Sequence, residues 1–440
     1  MIKKTQKNGR IVAVEALVKQ EQNGYSNLVL DSVLKKSELE PREKAFASAV
    51  FYGVLERIFT LDWMLQQCIK QPLSKLDAPI RAILRAGLYQ AVYMESVPVR
   101  AAVNESVQLV RVFRKTSASG LVNAVLRKAI TKNPQEASFA SESERISVLF
   151  SVSQPIAEHF LTYYPQDTEQ ILQAFFEKPP LAVRVNSLKT TEDKLCELLQ
   201  QEGWEVSTTD IPNSLVVQGK GSVIQTQAFA DGLFHVQGLG SQIACLCLSP
   251  KAGAKTLDLC AAPGGKSATL AQYMQNEGEL FCGDAVASRV SLISQTLTRL
   301  GITIGRPKHQ DASVFQEDLQ NADFILCDVP CSGLGIMAKK PDIRSKTLER
   351  IEELYPLQQQ ILETASRYLK KGGRMVYSTC TLNPKENEEQ VQLFLETHPE
   401  FKLVLPQYIP KGAVLKDNMI TLRPDYNLYD GFFIATLERL

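Results

Sequence analysis

The chain has little of what a metal centre or a membrane span requires. Its four histidines (His159, His235, His309 and His398) lie far apart, and its nine cysteines are scattered, with no Cys-x-x-Cys pair at metal-ligand spacing. Cys245 and Cys247 stand too close together for a zinc knuckle. No structural metal is expected, and an odd, scattered set of thiols excludes a disulfide framework. No apolar run reaches the about 20 residues that a transmembrane helix needs. The first ten residues, MIKKTQKNGR, are basic and polar and lack the apolar core of a signal peptide. These absences predict a cytoplasmic protein with no membrane partner.

What is present is an ordinary globular composition, 44% hydrophobic and 22% charged, in 440 residues, enough for two or three domains with their own cores. The near-zero net charge of +1 hides an asymmetry. Residues 1–130 carry 20 Lys and Arg against 11 Asp and Glu, a balance of +9, and the remainder carries 29 against 37, a balance of −8. A basic N-terminal region on an acidic chain points to a polyanionic partner such as RNA, and equally fits a solvated face. Arg111, Arg114, Lys115, Arg127 and Lys128 are the candidate contacts.

From Arg10 to about Ile130 apolar residues recur at three- and four-residue spacing, for example in IVAVEALVKQ and APIRAILRAGLYQAVYM, with turns at Gly24, Pro41, Pro72, Pro98 and Gly120. This predicts an all-α domain. The segments LDWML, AILRAGLYQ, VPVRAAVNESVQL and LVNAVLRK, with Arg10, Ala13 and Leu17, resemble the NusB family, and that resemblance implies RNA binding. Periodicity is then lost in a Ser- and Glu-rich stretch that reads as a linker. Helical segments lead on to the alternating run PPLAVRVNSLK, a helix EDKLCELLQQEGW and more alternation, which predicts a small α+β domain. With Asn186, Ser187 and Lys189 after its first strand, this region resembles the ferredoxin-like domain that precedes RNA cytosine methyltransferase domains. The expected division is 1–135 helical, 136–150 linker, 151–235 α+β, and 236–440 a doubly wound α/β domain.

That last domain is organised around TLDLCAAPGGKSATL, Thr256 to Leu270: an apolar strand, a turn of small residues, and a helix start whose N–H groups face a ligand. Cys260, Ala261, Ala262, Pro263, Gly264, Gly265 and Lys266 form the turn. Strands and helices alternate thereafter, so Asp258, Asp284, Asp311, Asp328 and Cys380 fall at or beside strand ends, where ligands bind in such sheets. Asp284 lies 20 residues after Gly264, a separation suited to accepting hydrogen bonds from ribose hydroxyls. The turn is neither a P-loop, which needs glycine where Cys260 stands, nor GxGxxG. Loss of both leaves S-adenosylmethionine as the favoured adenosine ligand. Cys331 in DVPCSGLG and Cys380 in STCTLNPKEN follow neighbouring strands, and a thiol is the side chain suited to adding to C6 of a pyrimidine. Chemistry alone does not rank the two.

CAAPGGK, DVPCSG, KKPDI, STCTLNPKEN and the terminal DGFF resemble the motifs of RNA 5-methylcytosine methyltransferases. Joined to a NusB-like domain, they are similar to the bacterial RsmB (Sun/Fmu) type. The resemblance implies methylation of C5 of a cytosine in 16S rRNA, or in a small-subunit assembly intermediate, with S-adenosylmethionine as donor and a monomeric enzyme. It implies Cys380 as nucleophile, Cys331 assisting product release, and Cys260 to Lys266, Asp284, Asp311 and Asp328 as cofactor contacts. The chain departs from the family pattern at Gly238, where an Asp is usual, and at Ser345, where a Trp can stand. Another RNA such as tRNA, or a ribosome-assembly RNA-binding role, are the alternatives; an amino-methyltransferase would need Asn/Asp-Pro-Pro-aromatic where this chain has Asp-Val-Pro-Cys.

Overall fold

The structure, a computed structural model, describes residues 8–22, 26–426 and 429–440. It divides into two compact units, one comprising residues up to Phe176 together with Met337–Leu348, the other Glu177–Ile336 and Glu349–Leu440.

The first unit is helical: α1 Gly9–Gln20, α2 Ser26–Lys35, α3 Pro41–Glu56, α4 Ile58–Gln66, α5 Ala78–Tyr93, α6 Val99–Val112, α7 Ser119–Ala129, α8 Glu142–Phe150, α9 Gln154–Tyr163 and α10 Thr168–Ala174. Asn8 starts α1, its side chain accepting from Ile11 N at 3.0 Å. The periodic apolar residues of α1, α3 and α5, among them Val14, Leu17, Phe51, Val54 and Ile83, form one core. α3 and α5 approach so closely that a Cβ on Gly53 would lie 1.9 Å from the Tyr89 ring.

The stretch expected to be a linker instead holds α8. Ser141 caps it by accepting from Glu144 N at 3.1 Å, and Ile146, Val148 and Phe150 are buried. Of its Ser and Glu residues, which break the apolar pattern, Ser141 is the cap, Glu142 is exposed and Ser147 is buried. α9 and α10 also group with the helical unit and not with the α+β region that follows. Residues 337–348, far along the chain, complete this unit. Arg344 is fully buried in it, donating to Phe150 O at 2.8 Å and Phe175 O at 3.0 Å, with its guanidinium 4.5 Å from the Phe176 ring centre. Ser345, the departure from the family pattern, ends the short 3-10 turn Pro341–Ser345 beside it.

The second unit opens with a four-stranded antiparallel sheet in the order β2-β3-β1-β4: β1 Leu181–Val185, then α11 Glu192–Gln201, β2 Glu205–Thr208, β3 Ser214–Gln218, α12 Gln227–Ala230 and β4 Phe234–Val236. The large domain follows with α13 Leu239–Leu248, β5 Lys255–Asp258, α14 Gly265–Tyr273, β6 Glu279–Asp284, α15 Ala287–Leu300, β7 Gly305–His309 and β8 Ala322–Asp328. It ends with α16 Leu348–Glu352, α17 Leu354–Tyr368, β9 Leu369–Thr379, α18 Glu388–Thr397, β10 Phe401–Leu403, β11 Val414–Lys416, β12 Met419–Leu422 and β13 Phe432–Arg439.

The small domain is fastened to the C-terminus of α15. Asn186 Nδ2 donates to Leu300 O at 2.8 Å, Lys189 Nζ to Arg299 O at 3.0 Å, and Arg299 Nη1 to Phe234 O at 3.0 Å. The nine-stranded sheet runs β11-β12-β13-β9-β8-β5-β6-β7, with β10 on β13. β7, β6, β5, β8 and β9 pair in parallel and β13 returns antiparallel. Helices cover both faces, and each face has its own apolar core. β5 sits between β6 and β8, so the order reverses there, and the crevice beyond its end is the switch point at which such sheets bind ligands.

Candidate active site

Beyond β5 the backbone turns through Cys260–Gly264 into α14. Gly264 has φ +100°, and a Cβ there would lie 3.1 Å from Ile293 Cα, so both conformation and the approach of α15 select glycine. The turn is tied down from outside: Thr296 Oγ1 donates to Pro263 O at 2.8 Å and Arg289 Nη2 to Ala262 O at 2.9 Å. Asp284, at the end of β6, accepts from Ala262 N at 3.2 Å and from Val286 N at 3.0 Å, which joins the first and second strand ends. Asp311 lies just past β7, exposed, with Oδ1 accepting from Ser313 N and Oγ at 2.9 and 2.7 Å. The expected cofactor residues from Cys260 to Lys266, with Asp284 and Asp311, thus border adjacent ends of β5, β6 and β7.

Asp258 is fully buried, with Oδ2 accepting from Ser267 Oγ at 2.6 Å and Oδ1 without a partner. Burial pushes its carboxyl up to about 7, against the opposing pull of Ser267 and Lys266. Lys266 behaves differently. Burial opposes its charge, but the Asp328 carboxylate, 2.7 Å from Nζ, more than offsets this and holds the ammonium above its ordinary range. Asp328 Oδ1 also accepts from Ser378 Oγ at 2.8 Å, so Lys266 and Ser378 fix the carboxylate between the turn and the end of β9.

The two thiols meet. β8 and β9 are adjacent parallel strands with Asp328 opposite Ser378, and the chain beyond each brings Cys331 Sγ and Cys380 Sγ to 3.1 Å. Cys331 Sγ also accepts from Cys380 N at 3.3 Å. The contact with Cys380, followed by burial and the Cys380 and Glu386 charges, raises the Cys331 thiol well above its ordinary range.

Residues that sequence reasoning passes over hold this arrangement. Ser267 and Ser378 orient the two aspartates. Behind the thiols, Glu386 is fully buried and bonded to Ser332, Gln358 and Asn383. Glu386 and Asn383 lie within the STCTLNPKEN run and Ser332 within DVPCSG, but Gln358 lies in no motif and nothing in either run announces that the three meet. His235, with burial pushing its imidazole down to about 3, is neutral beside Thr269 in α14. Gly238 provides no side-chain cap to α13. Among the described residues, no three His, Cys, Asp or Glu side chains are grouped to hold a metal, and no helix is long and apolar enough to cross a membrane.

The glycine turn at the switch point of a doubly wound sheet and the paired thiols beyond the next strand ends are parts of an α/β domain that the comparisons place among the RNA methyltransferases. The chain belongs to the 16S rRNA methyltransferase RsmB/F family, whose profile matches residues 245–438; the NusB family matches residues 7–131 and the RsmF/B-like ferredoxin-like domain residues 156–224. It is 34% identical to the probable ribosomal RNA small subunit methyltransferase B of Bacillus subtilis, over 98% of each chain. With the ribosomal RNA small subunit methyltransferase B of Vibrio cholerae it shares 31% identity, again over 98% of each chain. The crystal structure of PH0851 superposes with a TM-score of 0.83 at 27% identity and covers 98% of both chains.

Proposed function

We propose that this protein methylates C5 of a cytosine in 16S rRNA, or in a small-subunit assembly intermediate, through a covalent bond between Cys380 and C6 of the base, acting as a cytoplasmic monomer. The carrying observation is the 3.1 Å separation of the two sulfurs beside the switch-point turn. The turn fits S-adenosylmethionine: Gly265 leaves room beside it, the nearest atom to a Cβ there being 3.6 Å away, and Asp258 Oδ1 is a buried acceptor still without a partner. Cys260 to Lys266, Asp284, Asp311 and Asp328 would hold it. When bound, S-adenosylmethionine supplies an electrophilic methyl group, which C5 accepts.

The protein's part is to make C5 a nucleophile. The target cytosine leaves its stack to reach the crevice. The Cys380 thiolate adds to C6, and the electron pair displaced from the C5–C6 double bond makes C5 enamine-like. After methyl transfer a base takes the C5 proton, the pair returns to the ring, and the C6–S bond breaks to release Cys380 as thiolate. The 3.1 Å contact between the sulfurs supports a paired action, since only one thiol of a touching pair ionises readily, and the family resemblance ranks Cys380 as the nucleophile. Cys331 assists the release. We also assign residues 1–135 to RNA binding and residues 236–440 to chemistry.

Incubation with labelled S-adenosylmethionine and unmodified 16S rRNA, followed by mapping of the product, tests the reaction. Cys380→Ala is expected to lose about 10⁴-fold or more in methylation while cofactor binding survives. Cys331→Ala is expected to accumulate a protein–RNA adduct that resists denaturation. Full activity of Cys380→Ala, or transfer to tRNA alone, overturns the reading; an adduct trapped by loss of Cys380 instead reverses the two roles.

A further inference from the structure

Glu386 has no part of its side chain exposed, and both its carboxylate oxygens are occupied. Oε1 accepts from Ser332 N at 2.7 Å and Gln358 Nε2 at 3.0 Å. Oε2 accepts from Asn383 Nδ2 at 3.0 Å and from Ser332 Oγ. These donors come from three segments: the loop after β8 that carries Cys331, the loop after β9 that carries Cys380, and helix α17. Gln358 Nε2 also donates to Pro330 O at 2.9 Å, and Ser332 Oγ lies 2.7 Å from Thr381 Oγ1. Pro330 and Ser332 flank Cys331, and Thr381 follows Cys380. Every neighbour in that set is held on the carboxylate directly or through one intermediary.

We propose that Glu386 is the positioning residue that sets the spacing and facing of Cys331 and Cys380, bridging their two loops from behind. The inference rests on the reading of these thiols as the reacting pair. An ionised carboxylate only accepts, so four donors converging on it define a fixed geometry, and charge-assisted bonds of this kind are shorter and stiffer than neutral ones. Burying such a charge does little for stability compared with an apolar residue of the same shape, so its directional bonds are what it adds.

Glu386→Gln keeps the shape but places an amide NH2 against one of the donors. The test is the rate of adduct formation with RNA bearing 5-fluorocytosine at the target position, whose C5 fluorine is not lost as a cation, so the covalent complex accumulates. E386Q is expected to bind S-adenosylmethionine as the wild type does, with KM for RNA unchanged, and to form adduct about 100-fold more slowly, the cost of misplacing reacting groups by about 1 Å. The double variant N383D/E386Q restores both the charge and a donor–acceptor match, because the amide introduced at position 386 then donates to the carboxylate introduced at position 383. It is expected to regain most of the rate. Wild-type adduct formation by E386Q, or a double variant as slow as E386Q, overturns the proposal. If E386Q does not fold, Asn383→Ala removes one of the four donors and carries the same test: slowed adduct formation supports the role and a wild-type rate overturns it. Methylation by Cys380→Ala at the wild-type rate would instead sink the thiol reading itself, whatever the Glu386 variants do.

Discussion

Asp258 ends β5 and Lys266 stands in the first turn of α14, yet burial raises the carboxyl of the first to about 7 while the second keeps its charge. The difference is the partner. Lys266 has the Asp328 carboxylate at 2.7 Å, whereas Asp258 has one serine hydroxyl and an oxygen with none. Burial therefore raises Asp258 to about 7 from 3.8. Between those values the folded chain binds a proton that the unfolded chain does not, so the stability from this group is complete below pH 3.8 and is lost as pH rises through 7. Asp258→Asn removes that dependence. Relative to wild type, the variant is expected to gain about 2–3 kcal/mol on going from pH 5 to pH 8, read from urea midpoints at the two pH values. A difference that stays constant across that range rules the assignment out. The strand end that carries Asp258 is legible in the sequence, because TLDLC is an apolar run before a glycine turn. Its orphaned oxygen is not, since that depends on which helix packs above. Glu386 shows the same limit: its partners Ser332 and Gln358 lie 54 and 28 residues away, and nothing local in the sequence joins them.

At the level of elements, the adjacency of β8 and β9 does what neither cysteine motif does alone, because a parallel pair with Asp328 opposite Ser378 brings both following loops to one crevice. The apolar runs DFILCD and GRMVYSTC make each strand readable. Their place beside β5 follows from the doubly wound alternation, but the antiparallel additions β11 to β13 beyond β9 do not, since no strand–helix–strand pattern in the sequence specifies them. Two segments mislead for a shared reason: their polar residues look solvent-facing. The Ser- and Glu-rich stretch before residue 150 hides the buried stripe of α8. In KKPDIRSK, Arg344 looks like one more surface cation, yet it is spent on the carbonyls of Phe150 and Phe175 and on the Phe176 ring. Arg344→Ala leaves those carbonyls buried without donors, at about 1–3 kcal/mol each, and should lower overall stability by about 3 kcal/mol. A thermal midpoint equal to wild type in the full chain would show that Arg344 carries no such load.

Across the whole molecule the sequence separates charge by region, +9 in residues 1–130 and −8 in the rest, so a polyanion is attracted to one part of the chain and repelled by the other. In the structure Arg111 at the end of α6, Arg114 just beyond it, and Arg127 and Lys128 in the last turn of α7 are all exposed. Lys115 differs, for its ammonium lies 2.6 Å from Asp77, although both remain well exposed and such pairs are worth little. If this face holds RNA phosphates, each contact releases condensed counterions, and the dependence of log affinity on log salt steepens by a little under one unit per contact. Reversing Arg111, Arg114 and Lys115 to Glu is therefore expected to weaken 16S rRNA binding by about 10–100-fold at low salt, and to flatten the salt slope by about two units, with Lys115 contributing least. S-adenosylmethionine affinity should not change, because the turn after β5 is left intact. Filter binding of labelled rRNA at several salt concentrations measures both quantities, and an unchanged slope would move the RNA-holding surface away from the end of α6 whatever the absolute affinity.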